Sequence, residues 1–99
     1  MTVLMVRAKI REENVADAQA AVGKVIQALE QARPDDVRYT AGVLSDGVTF
    51  IALVELNPDG SHPLAPFPVY AEFVENLKQW YAEPPAVERM TVVGSYRLV

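Results

Sequence analysis

The chain has 99 residues, 51% hydrophobic and 22% charged, with 13 acidic against 9 basic side chains and a formal net charge of -4. That size and mixture describe one globular domain over residues 1–99 and exclude a disordered tail, while the acidic balance argues against a nucleic-acid partner. The absence of cysteine excludes disulfide staples, thiolate metal sites and thiol catalysis, and points to a cytoplasmic home.

Residues 2–10 read as a strand, with Leu4, Val6, Ala8 and Ile10 on an apolar face and Val3, Met5, Arg7 and Lys9 on a mixed one. The opening Met-Thr-Val-Leu-Met-Val-Arg lacks the order of a signal peptide, and the apolar runs fall short of the ~20 residues of a membrane span, so no membrane partner is expected. Asn14 is placed to cap a helix with Asp17 at its third position. Val15, Ala18, Val22, Ile26 and Leu29 then form one stripe. Gly23 in the interior costs about 1 kcal/mol relative to alanine, and close packing on a sheet is the expected reason. Pro34 ends the helix.

Two strands over 37–45 and 48–56 flank Asp46-Gly47, the signature of a two-residue type I′ hairpin. That loop sets Tyr39 opposite Val54, Thr40 opposite Leu53, Ala41 opposite Ala52, Gly42 opposite Ile51 and Val43 opposite Phe50. It also pairs Arg38 with Glu55, an ordinary cross-strand ion pair. Residues 57–68 hold four prolines and a glycine and are irregular, a long loop of the kind that covers binding sites. Pro68 starts a second helix that runs to about Tyr81, with Tyr70, Phe73, Val74, Leu77 and Trp80 or Tyr81 inward. The last strand spans 87–98, with Met90, Val92, Gly94, Tyr96 and Leu98 alternating with Arg89, Thr91, Val93, Ser95 and Arg97.

The order β-α-β-β-α-β predicts an α+β, ferredoxin-like split βαβ fold: a four-stranded antiparallel sheet in the order 4-1-3-2, with both helices on one face. The other face is expected to carry Val3, Met5, Arg7, Thr40, Leu44, Thr49, Ile51, Leu53, Thr91 and Val93. That is too apolar for water, so a second copy is expected to cover it, giving a homodimer through the sheet face.

This element order, the Asp46-Gly47 hairpin, the helix after the loop and the closing Thr91-Val92-Val93-Gly94-Ser95-Tyr96-Arg97 resemble the dimeric α/β barrel superfamily, in particular its antibiotic-biosynthesis-monooxygenase-like branch. The resemblance covers nearly the whole chain. It implies a homodimeric small-molecule binder related to cofactor-independent oxygenases of aromatic or polyketide-like substrates, with no metal and no flavin. The ligand implied is a small aromatic or acidic molecule. Haem-degrading members carry asparagine on the first strand and histidine after the second helix. Here the first strand offers Arg7, and no histidine follows residue 62.

His62, the sole histidine, is the candidate catalytic proton acceptor, against the alternative of a solvated loop residue. Tyr39, Tyr70, Phe73, Trp80 and Tyr96 are the candidate substrate-binding residues, against the alternative of plain core aromatics. Arg7, Arg89 and Arg97 are placed on one face, as an anion clamp or as edge-strand charge pairs. No metal-ligand spacing and no phosphate-cradling glycine pattern occurs. A non-catalytic dimeric domain that binds a metabolite or another protein stands as the alternative function. A cavity with converging polar groups favours the enzyme-like reading, and a solid interior favours the other.

Overall fold

Alternating side chains put Ala8 of the first strand, β1 (Thr2–Lys9), into the core, and Ile10 follows it with 1% exposure. The computed structural model describes residues 1–96, so the expectations for Arg97 and Leu98 lie outside the described residues. β1 ends one residue earlier than the pattern predicts. Ile10 bridges Tyr81, and the Arg11 and Ala82 amides donate to the Trp80 and Lys9 carbonyls, so this stretch pairs with the chain leaving the second helix.

A 3-10 turn over Glu12–Asn14 leads into α1 (Val15–Ala32). Asn14 stands at the cap position but caps no backbone amide; its Nδ2 donates to Asp17 Oδ2 at 3.2 Å. The helix ends at Arg33, left-handed at φ 47°, whose amide donates to the Leu29 carbonyl. Ala18 and Val25 are the buried residues of α1, so the stripe centres on Val25 beside the expected Ile26.

Gly23 does not pack on the sheet. It is exposed, and a Cβ there would meet nothing within 4 Å. Its cost is therefore uncompensated, and Gly23→Ala is expected to stabilise the fold by about 0.5–1 kcal/mol. Chemical denaturation checks this, and a loss of stability would show that the glycine serves a contact.

β2 (Tyr39–Val43) and β3 (Thr49–Glu55) pair in the predicted register, Tyr39 with Val54 through Val43 with Phe50. Glu55 N–H donates to the Arg38 carbonyl at 3.0 Å, and Arg38 Nε lies 3.6 Å from Glu55 Oε2. The connection differs from a type I′ turn. Gly47 N–H reaches the Leu44 carbonyl, and only Gly47 in it has positive φ, at 77°. Asp46 explains the change. Its carboxylate accepts from the Thr49 hydroxyl and from the Val48 and Thr49 amides, which hold its pKa down at about 2. Once a side chain closes the turn, a wider loop keeps the same register.

α2 (Pro68–Trp80) begins at the predicted proline. β4 (Ala86–Thr91) is shorter than predicted; Val92 N–H still donates to the Met1 carbonyl, and residues 93–96 have no strand structure. The sheet runs β2-β3-β1-β4, antiparallel throughout, as the ferredoxin-like reading requires. The faces of β4 are the reverse of the expectation. Met90 lies opposite Val3 and Glu88 opposite Met5, so these occupy the outer face, while Arg89 lies opposite Leu4 on the helical side. All six β4 residues are exposed, so hydrophobic alternation carries no information about its orientation. The arginine clamp is thereby broken up: Arg7 is on the outer face and Arg89 on the other.

Two clusters fill the space between sheet and helices. Ala8, Ile10, Ala18 and Phe50 form one with Trp80 and Tyr81; Val25, Val54, Leu64 and Phe73 form the other with Tyr39 and Tyr70.

Candidate functional site

The proline-rich loop between β3 and α2 is built, residue by residue, rather than loose. Asp59 accepts from the Ser61 amide and hydroxyl, which lowers its carboxyl pKa. Asn57 N–H donates to the Ser61 carbonyl at 3.0 Å, and Gly60 sits at φ 87°. This tight bend hands the chain to His62, buried Pro63 and Leu64, and Leu64 has 0% exposure inside the second core cluster.

His62 is half-buried, and both of its ring nitrogens have partners. Its Nδ1 accepts the Leu64 amide at 3.1 Å, and its Nε2 lies 3.2 Å from Tyr70 Oη. A backbone amide can only donate, so in the neutral ring the proton sits on Nε2 and is given to the tyrosine oxygen. The two rings stack at 4.8 Å between centroids, and Phe73 follows Tyr70 at 6.0 Å. Desolvation pushes the His62 pKa below 6.5.

The folded chain therefore takes up this proton less readily than the unfolded chain. Its contribution to stability is complete above pH 6.5 and is lost as the pH falls below that value. The histidine-dependent part of the loss between about pH 7.5 and about pH 5.5 is expected to vanish in His62→Asn, which keeps an acceptor but does not titrate. Denaturation midpoints at the two pH values measure it; an unchanged slope in the variant contradicts the assignment.

Tyr39, at the start of β2, completes the group. Its hydroxyl is buried without a hydrogen-bond partner, and its pKa is pushed up to about 12, by burial first and by the nearby Tyr70 second. Tyr70 is raised as well, chiefly by burial. The structure thus brings together Tyr39, His62, Tyr70 and Phe73. Trp80 lies ten residues beyond Tyr70, roughly 15 Å along the helix, and packs in the other cluster. Tyr96 is 83% exposed. Leu64 and Phe67 are members of the group that the sequence did not reveal; both sit among prolines, where no periodicity marks a buried side.

A hollow of about 650 Å³ lies on the outer face of the sheet; of the group just described only Tyr39 is among its lining residues. Glu55, Val3 and Met90 form one row across three strands, Arg38 just before β2 meets Glu55 at its end, and Thr40 and Leu53 form part of the next row. Among the described residues no three His, Asp or Glu side chains could hold a metal ion, and no helix is long and apolar enough to cross a membrane.

No protein-family model matches the chain, and no curated protein does. Solved structures do match. A protein provisionally described as an antibiotic biosynthesis monooxygenase from Nitrosomonas europaea superposes with TM-score 0.78 at 15% identity, over 95% of this chain and 100% of that one. A single-residue variant of SnoaB, a cofactor-independent oxygenase from Streptomyces nogalater, superposes with TM-score 0.71 at 13% identity, over 98% and 97% of the two chains. A further antibiotic biosynthesis monooxygenase gives TM-score 0.70 at 14% identity, over 95% and 100%. At such identities the likeness is one of fold, and it bears out the resemblance at that level.

Proposed function

We propose that this chain, which has the fold of the antibiotic biosynthesis monooxygenases, binds a small aromatic or polyketide-like molecule on the helical side of its sheet, beneath the 57–67 loop. The observation that carries this reading is the convergence of Tyr39, His62, Tyr70 and Phe73, drawn from a strand, a loop and a helix onto one patch. A monooxygenase-like reaction without metal or flavin asks the protein to orient the substrate and to hold a proton near it. Here His62 is the proton acceptor, with Tyr39, Tyr70 and Phe73 as lining. The role requires the ring to release the Leu64 amide, which frees Nδ1.

A cytoplasmic homodimer belongs to the same proposal. Val3, Met5, Ile51 and Leu53 are half-buried on the outer face of the lone chain, and Met90 is 43% exposed beside them. A second copy would cover them. The outer-face hollow also favours a second reading, a non-catalytic metabolite-binding domain, because a volume of about 650 Å³ lies within the range of ligand sites.

Thermal-shift screening with aromatic phenols and ketones, followed by oxygen-uptake measurement on those that bind, separates the two. Uptake that falls in His62→Ala supports the oxygenase reading. Binding without uptake supports the second reading, and no binding removes the first.

A further inference from the structure

We infer that the outer-face hollow takes an α-amino acid with an apolar side chain, its zwitterionic head seated on the Arg38–Glu55 pair. This rests on the second, metabolite-binding reading above and names the ligand class of that hollow. The space is there: about 650 Å³, bounded by the sheet and by the chain after β4 at Gly94 and Ser95.

Arg38 and Glu55 stand together at one end of it. Arg38 Nε lies 3.6 Å from Glu55 Oε2, too far for a good hydrogen bond, and neither side chain makes another polar contact among the described residues. The guanidinium fork and the carboxylate therefore keep their donors and acceptors for a ligand. Their charges also filter what can bind. An anion drawn to Arg38 is repelled by Glu55, and a cation drawn to Glu55 is repelled by Arg38. A head that carries both charges meets both demands: its carboxylate on Arg38, its ammonium on Glu55, with opposite signs adjacent throughout. An α-amino acid holds these two groups on one carbon, at a spacing that suits so close a pair. The rest of the hollow suits the side chain. Val3 and Met90 continue the row from Glu55, and Leu53 stands in the next, all of them apolar and none buried in the lone chain. Met90 is unbranched and adapts to irregular shapes.

Three probes with the same ring test this: L-phenylalanine, phenethylamine, which lacks the carboxylate, and 3-phenylpropionate, which lacks the ammonium. Each is titrated calorimetrically into the full chain, Arg38→Gln and Glu55→Gln, with circular dichroism to check that the variants fold. Wild type should bind L-phenylalanine roughly tenfold more tightly than either one-charge probe. Arg38→Gln should bind L-phenylalanine no better than phenethylamine. Glu55→Gln should bind it no better than 3-phenylpropionate, and should bind 3-phenylpropionate more tightly than wild type does. Equal wild-type affinity for the three probes, or unchanged L-phenylalanine affinity in both variants, overturns the inference. If binding is then lost in Met90→Trp, which fills the hollow, the outer-face ligand site stands with a different head group. Failure of all three probes to bind wild type overturns the inference as well, and binding in the broader thermal-shift screen then decides the metabolite-binding reading separately.

Discussion

Leu64→Ala is expected to cost about 2–5 kcal/mol of stability, although the residue lies in an irregular loop. Leu64 has 0% exposure and packs with Val25 of α1, Val54 of β3 and Phe73 of α2. Those three sit on regular elements that cannot follow a shrinking side chain, so most of the cavity would stay open. In a domain of this size each 1 kcal/mol corresponds to roughly 4–8 °C in melting temperature. A fall of at least about 8 °C should therefore accompany the change. Exposed Ala65, the next residue, provides the control: Ala65→Gly should stay within about 0.5 kcal/mol. A loss of less than about 1 kcal/mol for Leu64→Ala would mean the loop is a detachable cover, not a structural member.

Leu53→Lys is expected to abolish the proposed dimer while leaving a folded monomer. Leu53 is central on the outer face, between Met5 on β1 and Thr40 on β2. In the lone chain a lysine there snorkels its ammonium into water at little cost. Between two sheets the same charge is buried without a partner, a penalty of several kcal/mol and more than about 100-fold in dissociation constant. Light scattering should give twice 10.9 kDa for wild type and 10.9 kDa for the variant, with unchanged circular dichroism. A wild-type mass of 10.9 kDa at micromolar concentration would dispose of the dimer.

What could be read in the chain without coordinates was short-ranged. Asp46-Gly47 and the charge pair Arg38–Glu55 specify the hairpin register because both strands are tied through a few residues, and the register survives a different turn geometry. Pro68 marks the start of α2 because it supplies a fixed φ where no amide donor is needed. The candidate site was legible in part. Aromatics at helical spacing on α2 single out Tyr70 and Phe73, but the same spacing carries Trp80 into a different cluster.

The sequence by itself thus determined the order of elements and the strand pairing across one turn, since each follows from propensity and neighbours along the chain. Only the tertiary structure decided which face Arg89 and Met90 take, that Leu64 is core, and that His62 spends both nitrogens on Leu64 and Tyr70. It also decided that the Tyr39 hydroxyl is enclosed without a partner. Those outcomes depend on which distant segments meet. An edge strand exposed along its whole length, or a leucine among prolines, carries no periodic pattern from which such a meeting can be read.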